Sequence, residues 1–344
     1  MELYAIKING WKNPMGFDYG VPQCSWKVRG NTGSRQETAR ISVGLDETLQ
    51  KVIFQKEGKL NSLGEPLDFP LKPYTRYWYT IAVRSDHGEE TLSQPCFFET
   101  GKLDDPWVGQ WLGVEDGDTH PEFQKTFSLP EKPRSARLYI CGLGLFEAYL
   151  NGGKAGNDLL TPFLNDYTEH FQYCTYDVTS LLAQDNTLSV LLGDGWYRGH
   201  FGLGEPTHYE RPLALIAELC MEFADGHTET LRSDSGWQYR SSFTTLSDIY
   251  NGETQDYTKA SGDWKQPVLI PAPSRLCDRY SSPLHYMESI PVKEVIHTPA
   301  GETVLDFGQN FAGHVVCTQP IPNGTAMTLE FGEVLQNGNF YHEN

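Results

Sequence analysis

The chain has 344 residues, with 27 Lys plus Arg against 45 Asp plus Glu, for a formal net charge of −18 at pH 7. This length predicts two or three domains, each able to bury its own core, and the acidity argues against nucleic acid or an anionic membrane surface as a partner. No apolar run approaches the roughly 20 residues of a spanning helix.

The segment Met1 to Lys7 has no basic stretch followed by a long apolar one, so no signal-peptide pattern is read and a cytoplasmic location is expected. Seven cysteines (Cys24, Cys96, Cys141, Cys174, Cys220, Cys277, Cys317) are scattered and odd in number, without Cys-x-x-Cys spacing. They predict buried thiols, not a disulfide framework or a zinc site.

Wherever a hydrophobic period can be read it is close to two, which predicts an all-β protein of tandem sandwich or jelly-roll domains. In residues 1–103, Ala39, Ile41 and Val43 alternate with polar residues, and Tyr77, Tyr79, Ile81 and Val83 form one face of a longer strand that ends at an Asp86-His87-Gly88 turn. Such a unit has the character of a small immunoglobulin or fibronectin type III sandwich.

Residues 104–270 read as a larger jelly-roll sandwich. The acidic run from Glu115 to Asp118 looks like an exposed loop; strands are expected at Ala136 to Ile140, at Phe146 to Leu150 before Asn151-Gly152, and at Leu213 to Phe223 before Asp225-Gly226. One helical turn is expected after Asp177, which can cap it. Residues 271–344 read as a further sandwich with strands at Thr303 to Phe307, Val315 to Cys317 and Met327 to Phe331. The Asn337-Gly338 hairpin signal is answered only by Asn339 to Asn344, so the domain is expected to be interrupted, with an open edge that favours self-association or local disorder after about Ser289.

Several ordered motifs carry a family resemblance. Leu150-Asn151-Gly152, Leu160-Thr161-Pro162, Tyr176-Asp177-Val178-Thr179, Gly195-Trp196-Tyr197, Asp248-Ile249-Tyr250-Asn251-Gly252-Glu253, Leu305-Asp306-Phe307-Gly308-Gln309-Asn310 and Phe331-Gly332-Glu333 occur in this order. Together they resemble the N-terminal β-domain half of bacterial α-L-rhamnosidases. The resemblance implies an enzyme family that removes terminal α-L-rhamnose by inversion, using carboxylates in a C-terminal (α/α)6 barrel. This chain has no such barrel, so no residue of it is assigned a catalytic role, and alone it is expected to be inactive. Other enzyme signatures are missing: Gly193-x-Gly195 lacks the third dinucleotide glycine, and no Gly-x-Ser-x-Gly elbow or His-Glu-x-x-His motif occurs.

The resemblance also admits an L-rhamnose-binding module, with no cofactor required and calcium as an admissible partner. Asn165, Asp166, Tyr167, Asp194, Trp196 and Tyr197, with the His200 to Glu210 loop, are the candidates, because sugar recognition needs an aromatic face and a few fixed polar groups. The alternative for Asn165 and Asp166 is a local turn, and for Trp196 and Tyr197 a plug at the sandwich edge. Three roles stay open: a non-catalytic support for the barrel that also binds L-rhamnose or a rhamnosyl oligosaccharide, a stand-alone calcium-dependent carbohydrate-binding protein, and a ligand-free scaffold.

Overall fold

The computed structural model describes residues 1–115, 120–200, 212–258 and 262–341. They divide into two units, Met1–Leu284 and His285–Asn344. The first begins with nine strands: β1 (Glu2–Ile8), β2 (Met15–Phe17), β3 (Gln23–Arg29), β4 (Gln36–Gly44), β5 (Val52–Gly58), β6 (Glu65–Pro66), β7 (Arg76–Ser85), β8 (Glu90–Leu92) and β9 (Cys96–Thr100). A sheet of order β1-β3-β6 faces one of order β2-β9-β7-β4-β5, with β8 added to β7. The alternation seen in the sequence sets the register: Ala39, Ile41 and Val43 lie opposite Val83, Ile81 and Tyr79, and all six are buried. Burying such a side chain contributes roughly 1.5–3 kcal/mol relative to leaving it in water. The Asp86-His87-Gly88 turn closes on Ser85, with Gly88 at φ +80°.

The following strands are β10 (Trp111–Gly113), β11 (Pro121–Ser128), β12 (Ser135–Leu143), β13 (Leu145–Leu150), β14 (Gly153–Lys154), β15 (His170–Gln172), β16 (Cys174–Asp177) and β17 (Asp185–Gly193); then come a one-turn helix α1 (Gly195–Arg198) and β18 (Ala214–Glu222), β19 (Thr228–Arg232), β20 (Gln238–Ser241), β21 (Thr244–Asp248), β22 (Gly252–Gln255), β23 (Val268–Ile270) and β24 (Arg275–Cys277). They build a sandwich from a sheet of order β16-β12-β18-β10-β23, with β19 on β18, and a sheet of order β14-β13-β17-β11-β20. Phe123, Leu138, Ile140, Leu188, Val190, Leu215 and Leu219 fill the space between them. After Asp177 the expected turn is a 3-10 turn, Thr179–Leu181, and the Asp177 carboxylate accepts hydrogen bonds from the Thr179 amide and hydroxyl at 3.1 and 2.6 Å.

The outer face of the β12 and β18 sheet is covered by the first module. Lys102, in the link between the two, is buried, and its Nζ donates to Glu218 Oε2 at 2.6 Å and to the Tyr74 hydroxyl at 2.8 Å. The ammonium also lies within 6 Å of the Tyr74, Trp107 and Tyr139 ring centres. Glu218 uses its other oxygen to accept from the Val108 and Gly109 amides at 2.6 and 2.8 Å. Beside this pair, Glu99 of the first module receives Arg137 of the sandwich through two hydrogen bonds and Arg76 through one.

Residues 271–284, read from sequence as the start of the third domain, instead belong to the first unit. There β24 pairs in parallel with β15, and Arg279 exchanges backbone hydrogen bonds with Gly16 and Asp18. The side chain of Arg279 meets Asp158 at 2.5 Å, both nearly buried. Asp278 accepts from the Tyr173 hydroxyl, and burial pushes its carboxyl above the usual range despite that donor and the Leu103 amide. These contacts are long-range, which is why a Pro-rich passage read as a boundary.

The second unit has two hairpins, β25 (Glu294–His297) with β26 (Thr303–Asp306), and β27 (Leu335–Gln336) with β28 (Asn339–Phe340). The expected Asn337-Gly338 turn joins the latter pair, with φ of +51° and +80°. The strands expected at Val315 to Cys317 and Met327 to Phe331 do not form: among the described residues no segment pairs with them, and Val316, Met327, Leu329 and Phe331 are exposed. A strand requires a partner that saturates its backbone groups, and apolar alternation alone does not supply one. Cys317 is exposed, against the expectation of a buried thiol; of the other six, Cys24, Cys141 and Cys174 are buried and Cys96, Cys220 and Cys277 partly so.

Removing one partner of a buried charge pair leaves the other desolvated. Lys102→Ala is therefore expected to cost about 3–5 kcal/mol in urea unfolding of the chain, and Lys102→Met with Glu218→Gln less than Lys102→Ala alone; equal losses would refute the role given to the pair. Asp278 provides a pH test of the opposite sign to a salt-bridged acid. Its raised carboxyl favours the folded state while protonated, and that contribution fades as pH rises through the folded pKa. Thermal melts at pH 4, 5.5 and 7 should show Asp278→Asn gaining on the native chain as pH rises; a constant difference would refute this.

Candidate functional site

The motif around Trp196 forms where β17 ends. Gly193 and Gly195 are packing glycines: a Cβ at Gly193 would run into the Ser247 hydroxyl, and at Gly195, with φ +55°, into Leu145. The turn they permit was not expected from sequence, since four residues carry no helical period. Within it Trp196 is half-buried against the core and Tyr197 is buried.

Asp194 anchors the turn. Its carboxylate lies 3.3 Å from His120 Nε2 and accepts from Arg198 Nε at 2.8 Å. Burial works against ionisation, yet His120 and Arg198 outweigh it and hold the Asp194 carboxyl below the usual range. His120 itself is 3 % exposed. Next to this, Asp248 accepts from the His200 amide at 2.8 Å and from the Tyr250 and Asn251 amides at 2.9 and 2.8 Å, while His200 Nδ1 lies 2.9 Å away. Burial opposes the charge here too, but these donors hold the Asp248 carboxyl far below its ordinary value.

The structure brings the two candidate segments together through rings: Tyr167 and Tyr197 meet edge to face with centroids 5.3 Å apart. Both rings are buried, so they serve packing and present no stacking face. Asn165 is buried as well, donating to the Phe163 carbonyl at 2.5 Å and accepting from Gln172 Nε2 at 3.0 Å. Asp166 is exposed and closes a local turn by accepting from the Thr168 amide and hydroxyl, which lower its carboxyl. Of the six candidates, Trp196 alone pairs a half-exposed aromatic surface with a fixed charged neighbour. His120, Arg198 and Asp248 are not among the candidates the sequence offers, and His200 enters them only as the first residue of a loop; the His120–Asp194 and His200–Asp248 contacts join distant residues and leave no spacing signal, whereas Arg198 sits one helical turn after Asp194.

A calcium ion takes 6–8 oxygen ligands. Asp194 is already matched to a guanidinium, Asp166 stands alone, and Asn165 is committed to protein partners. Among the described residues no group of three or more His, Cys, Asp or Glu is placed to hold a metal ion. The donors there do not fit calcium. The part of the candidate loop from 201 to 210 and the acidic residues 116–118 lie outside the described residues.

An immunoglobulin-like module fused through buried charge to a larger β-sandwich, followed by a further β-unit, defines a multi-module all-β protein. Three family models match the chain in successive segments. Residues 3–104 match the Rha78A-like N-terminal immunoglobulin domain, residues 131–293 the α-L-rhamnosidase N-terminal domain, and residues 296–344 the bacterial α-L-rhamnosidase concanavalin-like domain. The chain belongs to the bacterial α-L-rhamnosidase family and matches the N-terminal domains of its members. It is 36 % identical over 272 residues to an α-L-rhamnosidase of Streptomyces avermitilis, which covers 73 % of this chain and 26 % of that protein. To an α-L-rhamnosidase of an Alteromonas species it is 25 % identical over 378 residues, covering 99 % of this chain and 41 % of the relative. It thus spans about a quarter to two fifths of these relatives. In fold it is similar to the α-L-rhamnosidase of Aspergillus terreus, with TM-score 0.75 and 26 % identity over 90 % of this chain and 38 % of that one. It is also similar to the Streptomyces avermitilis α-L-rhamnosidase complexed with L-rhamnose, with TM-score 0.77 and 19 % identity over 90 % and 49 %.

Asp194 and Asp248 are both lowered acids, so the stability they confer is full above the ordinary carboxylate pKa of about 4 and is lost as pH falls toward their folded values. Asp248→Asn should melt lower than the native chain at pH 7, and the gap should narrow below pH about 4; a gap that widens on acidification would contradict the assignment.

Proposed function

We propose that the chain is the non-catalytic β-platform of an α-L-rhamnosidase, and that its Trp196 edge contacts L-rhamnose or the rhamnosyl end of an oligosaccharide. The observation that carries the first part is the state of the carboxylates. Inverting hydrolysis needs an acid that keeps its proton at working pH and a base free to activate water, about 6.5–9.5 Å apart across the sugar. At the candidate site Asp194 is matched to His120 and Arg198, and Asp248 is saturated by amide and imidazole donors; both are lowered, the wrong direction for a proton donor. The platform reading is supported by the buried link between module and sandwich, which holds one orientation.

The second part rests on Trp196, an indole held on a turn whose anchor carboxylate is fixed from two sides. Such a surface suits the C–H face of a pyranose with polar groups at its rim. The described donors do not complete a calcium shell, so the contact is expected to need no ion.

The test combines turnover and calorimetry on the purified chain. Aryl α-L-rhamnoside should not be hydrolysed above the uncatalysed rate; catalysis abolished by a carboxylate substitution would overturn the platform reading. L-Rhamnose should give saturable heat that weakens by about tenfold or more in Trp196→Ala, a loss of about 1.4 kcal/mol, and survives chelation. Heat abolished by a chelator would favour the calcium-dependent binding protein, and no heat at all the scaffold.

A further inference from the structure

The sandwich has two outward faces, and only one is covered by the first module. On the other, the β14-β13-β17-β11-β20 sheet presents two cross-strand rows. One runs Tyr149, Ser189, Gln124, Gln238, and the next runs Glu147, Leu191, Glu122, Arg240. Tyr149, Ser189, Gln124, Glu122 and Arg240 are half-buried there, flanked by their cross-strand neighbours.

The charged side chains of these two rows, Glu147, Glu122 and Arg240, are each matched in place. Lys154 Nζ meets Glu147 at 2.5 Å, the Tyr149 hydroxyl donates to the same carboxylate, and Arg240 donates to Glu122 at 2.8 Å. Between these pairs Gln124 Nε2 donates to the Ser189 hydroxyl at 3.3 Å, a long bond that leaves amide and hydroxyl capacity to spare. Aromatic rings stand at both ends: Tyr149 on β13, and Trp264, stacked on the Arg240 guanidinium at 4.4 Å, in the segment that bridges to Tyr239 beyond β20.

We propose that this face is a second carbohydrate-binding surface, distinct from the Trp196 edge, and that it takes a neutral oligosaccharide laid across the strands. From the Tyr149 strand to the Trp264 segment is four strand spacings, about 19 Å, which fits a short oligosaccharide chain and exceeds one sugar. Internally cancelled charge matches an uncharged ligand and gives no attraction to an acidic one, which the chain's net charge of −18 also repels. Polar rows between two rings match a ligand of alternating hydroxyls and C–H faces, whereas an apolar protein partner would leave those polar groups unpaired. This inference does not depend on the Trp196 reading.

The experiment is calorimetric titration of the full chain with rhamnotetraose, mannotetraose and cellotetraose, with tetragalacturonic acid as the acidic counterpart. At least one neutral tetrasaccharide should bind saturably, and Tyr149→Ala and Trp264→Ala should each weaken it by about tenfold or more, with Tyr149→Phe retaining it and thermal melts confirming that all three variants are folded. Trp196→Ala should leave this binding intact, so that failure at one surface is distinguishable from failure at the other. The proposal falls if no neutral tetrasaccharide binds, if the acidic one binds equally well, or if binding survives loss of both rings and disappears with Trp196.

Discussion

The buried contact between Lys102 and Glu218 is the constraint on which the arrangement of the first unit depends. Both side chains are almost wholly removed from water, at 2 and 1 % exposure, and desolvating them is costly unless every donor and acceptor finds a partner. The partners come from different places in the chain: two linker amides and Lys102 for the carboxylate, and a tyrosine hydroxyl with three aromatic faces for the ammonium. Satisfaction on this scale exists in one relative placement of module and sandwich. The pair specifies orientation more than it adds net stability, and the neighbouring cluster of buried Glu99 with Arg76 and Arg137 repeats the same logic.

That placement decides which surfaces of the sandwich the first module leaves uncovered. Strand β18 is buried on both faces, with Leu215, Ala217 and Leu219 in the sandwich core and Glu218 against the link to the first module. The opposite sheet keeps its outer face, and the end of β17 keeps the Trp196 turn. The Asp194 and Asp248 carboxylates at that end are tied into hydrogen bonds and lowered, which fixes the base of the loop.

The second unit shows the converse. It carries apolar alternation comparable to that of β4 or β7, yet among its described residues Thr298 alone is buried, and Val295, Leu305, Phe331 and Val334 face solvent. A hairpin gains its hydrophobic contribution only when a further layer covers one face. The motif Leu305-Asp306-Phe307-Gly308 is therefore legible as a strand and turn while its packing is not.

Period-two alternation and turn chemistry determined much from the sequence alone: the all-β class, strands β4, β7, β12 and β18, and the Asp86-Gly88, Asn151-Gly152 and Asn337-Gly338 turns, because these signals reside in neighbouring residues. The motifs likewise carried the family. What the tertiary structure alone decided was every assignment that joins distant residues. It turned Tyr167, Tyr197 and Asn165 from candidate sugar contacts into packed or satisfied groups, and enlisted His120 and Arg198 behind Asp194. It also drew residues 271–284 into the first unit and buried a lysine at residue 102. Most of these join residues far apart in the chain, and contacts of that kind leave no periodicity to read.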